Sequence, residues 1–90
     1  MARRTRLDVL NDMLTAIQKA QGQIKPTHLM YKANLSHKLL SGYLADLISR
    51  DLVREIQKDK LHKQIEITEK GRDFLIQFRK IKEFQDSFGL

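Results

Sequence analysis

The 90-residue chain predicts a mainly helical domain in the order α-α-α-β-β-α, with a small β-hairpin and an extended last helix. Three observations predict it. Apolar residues recur at three- and four-residue steps through most of the chain, a strict period of two appears at Ile65 and Ile67, and Ser36 and Thr68 stand where helices should begin. The first and last observations place the helices; the second places a hairpin between them.

The first helix is expected from about Thr5 to Gln21, with Leu7, Leu10, Met13, Leu14, Ile17 and Ala20 as its core stripe. Asp8 and Asp12 fall near its start, where negative charge complements the helix dipole, so they read as helix stabilisers rather than an acid–base pair. Gly22 is placed to end this helix at C′. A short second helix starts near Pro26 or Thr27 and ends near Ala33, with Leu29, Met30 and Ala33 inward. Asn34 and Leu35 then break the pattern, and Ser36 can cap a third helix running to about Arg50. In that helix Leu40, Tyr43, Leu44, Leu47 and Ile48 line one face, while His37, Lys38, Ser41, Ala45 and Ser49 fall largely on the other. Gly42 has two readings, a close approach by a backbone or ligand and a helix crossing. Leu39 falls at the edge of the apolar face, as core margin or as an exposed contact.

Two helices around a tight turn, the second with a polar and basic outer face, make the layout of a helix-turn-helix. Leu52–Gln57 and Leu61–Thr68 then read as hairpin strands, with a basic tip carrying Lys58, Lys60, His62 and Lys63. The last helix, capped by Thr68 and running to about Asp86, holds all four phenylalanines. At 1.5 Å per residue it spans roughly 28 Å, so its second half is expected to project. Phe74, Phe78, Ile81, Gln85 and Phe88 follow a 4-3-4-3 spacing, a short heptad seam that suits a partner helix, with Phe84 beside it.

The whole order is that of a winged helix-turn-helix. Residues 1–68 would form its DNA-binding part with a basic arm of Arg3, Arg4 and Arg6, and residues 69–90 a helix that packs on it and dimerises, within one structural domain. MYKANLS at Met30–Ser36, YLADLISRDLV at Tyr43–Val53 and ITEKGRDFL at Ile67–Leu75 resemble the small archaeal winged helix-turn-helix DNA-binding proteins, predicted transcriptional regulators. The resemblance implies a homodimer joined through the last helix as an antiparallel coiled coil. Members typically carry glycine where Asp51 stands and a polar residue where Leu39 stands, so a left-handed turn at Asp51 is not expected.

Seventeen Lys and Arg against eleven Asp and Glu give a net charge of +6, which suits a polyanionic partner. Double-stranded DNA is the expected one, bound by a homodimer acting as a transcriptional regulator, with architectural binding without sequence preference as the alternative. Thr27, Tyr31, Lys32 and the arm arginines are candidates for phosphate contact, Ser36, His37, Lys38 and Ser41 for the recognition helix, and Lys58, Lys60 and Lys63 for the wing. Phe74, Phe78, Ile81, Phe84 and Phe88 are the candidates for dimerisation. An alternative use of the same aromatic helix is docking a different protein.

No enzyme is expected: Gly22, Gly42, Gly71 and Gly89 make no phosphate loop, and no Ser, His and acid fall in a nucleophile setting. Without cysteine there is no disulfide or zinc–thiolate site, and His28, His37 and His62 lack metal-ligand spacing. No metal, cofactor or small-molecule ligand is therefore expected. No apolar run approaches the ~20 residues of a membrane span, so the expected location is cytoplasmic and nucleoid-associated.

Overall fold

Helix ends organise this chain. In the computed structural model, which describes residues 4–90, α1 (Arg6–Lys19) opens on a capping box in which Thr5 and Asp8 satisfy each other's backbone N–H groups. The two-residue strand β1 (Gln23–Ile24) follows, then α2 (Pro26–Lys32), which opens on proline at its first position instead of a side-chain cap. Helix α3 (His37–Ser49) starts under Ser36, whose hydroxyl accepts from the Leu39 N–H at 3.2 Å. Strands β2 (Val53–Gln57) and β3 (Lys63–Ile67) form the hairpin, and α4 (Glu69–Ser87) starts under Thr68.

All four helices terminate in the same way, with a left-handed residue whose N–H, and that of the next residue, bond back to the last turn. The left-handed residues are Gln21 (φ 65°), Asn34 (φ 56°), Asp51 (φ 62°) and Gly89 (φ 68°). In each case the following residue closes a six-residue loop, as from Gly22 N–H to Ile17 O at 2.9 Å and from Leu52 N–H to Leu47 O at 3.0 Å. Two expectations are corrected here. Gln21, not Gly22, takes the C′ position after α1, and Asp51 makes the left-handed turn that its identity argued against. Aspartate tolerates this region better than most residues, and the returning bonds hold it there.

The sheet has the order β1-β3-β2 and is antiparallel throughout, with Val53 opposite Ile67, Ile56 opposite Gln64 and Ile24 opposite Ile65. β1 was not legible in the sequence; two residues are too few to show a period. Both hairpin strands are also shorter than expected: Leu52 belongs to the loop that ends α3, Leu61 and His62 belong to the tip, and Thr68 caps α4.

The core lies between the three-helix unit and the sheet. Met13, Leu14 and Ile17 of α1, Leu29 of α2, Leu47 of α3 and Ile65 of β3 are its most enclosed side chains. Leu7, expected in the core stripe, is 55% exposed, and Val9 is buried in its place. Leu7, in the first turn, lines an open depression with Leu10, Leu52 and Phe74, whereas Val9 is enclosed in the core. Ile48 is also surface, at the edge of the α3 apolar face.

At Gly42 a Cβ would meet nothing within 4 Å, so no helix or backbone among the described residues crosses there and the residue lies open on the outer face of α3. The position that requires glycine is Gly71. A Cβ on it would collide with the Leu52 carbonyl oxygen and stand 2.7 Å from Cγ1 of Ile67. Thr68 fixes the same junction: its hydroxyl donates towards the carbonyls of Asp51 (2.7 Å) and Leu52 (3.0 Å) and accepts from the Gly71 N–H (3.0 Å). The start of α4 is thereby seated on the loop that ends α3.

Candidate nucleic-acid interface

Helix α3 turns Leu40 and Leu47 into the core, so His37, Lys38, Ser41, Gly42, Ala45 and Ser49 make an exposed outer face. Gly42 and Ala45 keep that face low. A helix with small residues in its middle and His37, Lys38 and Ser41 at its leading end can approach a surface closely and still present hydrogen-bonding groups. Leu39 is exposed on the flank, where it lines a shallow depression of about 360 Å³ with Arg6, Lys38, Gly42, Tyr43 and Asp46.

Asp46 is the anchor of that flank. Its carboxylate accepts from Arg6 Nη2 at 2.6 Å and from Arg50 Nε at 2.9 Å. These bonds, Arg6 first and Arg50 second, hold the Asp46 carboxyl below its ordinary value, and the Asp46 carboxylate in turn raises Arg6. Arg6 thereby ties the start of α1 to the middle of α3.

Arg4 does the equivalent for α2. Its guanidinium donates to Asp12 Oδ2 (3.0 Å) and to the carbonyls of Ala33 (2.8 Å) and Asn34 (3.1 Å), the last of α2 and its turn. A cation there satisfies helix-end carbonyls and complements the dipole. So the two described arginines of the expected arm cross-brace the helix-turn-helix. Their sequence separation from these partners, about thirty and forty residues, left no local signal. Arg3 lies outside the described residues.

Thr27, Tyr31 and Lys32 are exposed on α2, with Tyr31 among the most open of the large side chains. The hairpin carries Lys58, Lys60 and Lys63, all exposed. The structure brings two of these groups together: Thr27 shares a cleft of about 340 Å³ with Lys60 and Lys63, and with Lys25, Leu61 and His62. Lys25 was not singled out in the sequence; it joins the cluster because β1 pairs with β3 and delivers the start of α2 beside Lys63. At the base of the hairpin Glu66 accepts from Gln23 Nε2 and Arg54 Nε, both at 2.7 Å, binding all three strands and keeping Glu66 low, chiefly through Arg54.

His28, His37 and His62 sit on α2, α3 and the hairpin tip, and the described residues gather no metal-binding group. No helix among them is long and apolar enough to cross a membrane.

On α4 the five candidate side chains divide. Phe74 is half-buried against the core and Phe78 stacks beside it with ring centroids 6.1 Å apart, whereas Ile81, Phe84 and Phe88 are exposed.

Three helices, the last two closing a tight turn, followed by a two-stranded wing and a further helix, define a winged helix. The chain belongs to the winged helix-turn-helix family, whose model matches residues 3–86. No curated protein matches it. Among solved structures it is similar to Sso10a-2, a DNA-binding protein from Sulfolobus solfataricus, with a TM-score of 0.79 and 19% identity over 94% of this chain and 85% of that one. It is similar also to the winged-helix DNA-binding protein of STIV, with a TM-score of 0.73 and 17% identity over 92% of each chain. A MarR variant from E. coli complexed with operator DNA gives a TM-score of 0.75 and 23% identity, over 86% of this chain and 55% of that one. The chain spans little more than half of that regulator.

Proposed function

We propose that the protein binds duplex DNA as a homodimer and acts as a transcriptional regulator. The observation that carries this reading is the outer face of α3, low in the middle and polar at its leading end, held in place by Arg4 and Arg6. His37, Lys38 and Ser41 address base edges in the major groove, and Ser36 caps the helix that carries them. Thr27, Tyr31, Lys32 and Lys25 address the phosphates, and Lys58, Lys60 and Lys63 of the wing extend that contact along the backbone. Arg4 and Arg6 add positive potential while positioning α2 and α3, and Arg3 precedes them.

The homodimer forms through α4, with Ile81, Phe84 and Phe88 as its open apolar surface and Phe78 and Phe74 leading from it into the core. Two recognition helices related by a two-fold axis then read two half-sites. The protein would work in the cytoplasm, on the nucleoid.

The test is a fluorescence-anisotropy titration against a randomised duplex pool and one fixed duplex at two salt concentrations, with the mass in solution recorded alongside. Neutralising about six phosphates gives a slope of log affinity on log salt near −5. Salt-sensitive binding with enrichment of a two-fold motif is the expected result. Equal affinity for unrelated duplexes would make the protein architectural, and a flat salt response or no binding would sink the reading.

A further inference from the structure

Leu61 is 87% exposed, more than any other large hydrophobic side chain described, and it stands at the tip of the wing between Lys60 and His62. A lone exposed leucine on a loose loop would need no explanation. This loop is not loose. Asp59 Oδ1 accepts from the backbone N–H of Leu61 (2.9 Å) and of His62 (3.0 Å), and the His62 ring nitrogen Nδ1 lies 2.7 Å from the same oxygen. The Lys58 N–H donates to His62 O at 2.9 Å, and Gln57 Nε2 bridges the carbonyls of Asp59 and His62. Side chains and backbone on both sides of the tip are spent on holding its shape, and the Leu61 side chain is left exposed at the edge of the cleft it shares with Lys60 and Lys63.

We propose that Leu61 is an apolar wedge that enters the DNA minor groove and partly unstacks a base step under the wing. The proposal rests on the duplex-binding reading and adds to it a residue that senses DNA deformability. Three features favour this occupant. The minor groove is about 6 Å wide, too narrow for a helix but open to one side chain on a tight turn. Lys25, Lys60 and Lys63 share a cleft with Leu61 and give the tip positive charge, which matches the phosphate rails on either side of that groove and repels the same tip of a second copy. The preformed turn spares the entropy cost of ordering the tip on contact. An inserted leucine kinks the duplex towards the major groove by roughly 20–90°, most easily at flexible pyrimidine–purine steps. Leu61 would thus favour sites with a TA or CA step at the wing without bonding to any base.

The experiment uses the full chain, its Leu61→Ser and Leu61→Met variants, and Lys60→Ala. Each is titrated by anisotropy on a duplex rich in TA steps, and each saturated complex is probed for permanganate-reactive thymines and for bending by energy transfer between the duplex ends. Wild type should raise thymine reactivity at discrete TA steps and shorten the end-to-end distance. Leu61→Ser should bind within about threefold of wild type yet return both signals to those of free DNA, and Leu61→Met should restore them. Lys60→Ala should bind more weakly and keep both signals at saturation. Binding by wild type without unstacking, or unstacking that survives Leu61→Ser, would overturn the wedge and leave duplex binding intact. Absence of binding by wild type would overturn both, and the anisotropy alone reveals it.

Discussion

The two halves of α4 are built from the same kinds of residue and do opposite things. From Thr68 to Leu75 the helix is sunk into the molecule: Gly71 leaves no room for a Cβ beneath the Leu52 carbonyl, Leu75 is buried, and Phe74 packs on the core. From Ile81 onwards it carries three large apolar side chains in the open, two of them, Phe84 and Phe88, with ring centroids 4.9 Å apart. The boundary lies near Lys82, whose ammonium sits 5.6 Å from the Phe78 ring and 3.9 Å from Asp8. Amphipathic spacing runs through both halves. What separates them is only whether another element of the chain is there to cover the stripe.

That contrast can be broken at the buried end first. Gly71→Ala should cost about 3 kcal/mol or more in denaturant unfolding, because the new methyl meets a backbone carbonyl that cannot rotate away. Leu75→Ala, which removes packing and leaves α4 seated, should cost about 2–3 kcal/mol in the same measurement. At the open end the signs separate: Phe84→Glu should change monomer stability by no more than about 0.5 kcal/mol. Yet it should halve the mass measured by sedimentation, and an unchanged mass would remove α4 as the dimer surface.

The smallest effect concerns the boundary. Asp8 is held below its ordinary value of 3.8, chiefly by the Thr5 backbone N–H and then by the Thr5 hydroxyl, with smaller help from Lys82. A carboxyl depressed in the folded state contributes stability above its unfolded value, and that contribution fades as acidification passes through the folded value. The unfolding temperature should therefore fall as the pH drops below about 4, and Asp8→Asn should flatten part of that fall.

Much of this fold was legible because its signals are local. Ser36 and Thr68 cap the helices they were expected to cap, Pro26 opens α2, and the alternation at Ile65 and Ile67 marks the inner strand of the wing. Where the reading missed, the cause lies in contacts distant along the chain. Gly42 and Gly71 look alike in sequence, and only the Leu52 carbonyl, nineteen residues from Gly71, distinguishes them. The left-handed turns at Gln21 and Asp51 lack glycine, so residue type hid them while the returning hydrogen bonds impose them. At the candidate interface, the exposure of His37, Lys38, Ser41 and the wing lysines followed from helical and hairpin periodicity. The bracing by Arg4 and Arg6 did not, since only the folded chain brings their partners within reach.

The Thr68 junction has a consequence for operator geometry. Its hydroxyl joins the root of α4 to the residues that end α3, so α3 and α4 share one pivot. In the proposed dimer, α4 would be a lever about 28 Å long measured from that pivot, and a tilt of roughly 10° would move its far end about 5 Å. One base pair advances the duplex by about 3.4 Å. In such a dimer a tilt of that size would exceed one base-pair step, so the half-site spacing it accepts would depend on how firmly Thr68 and Gly71 hold the base of α4.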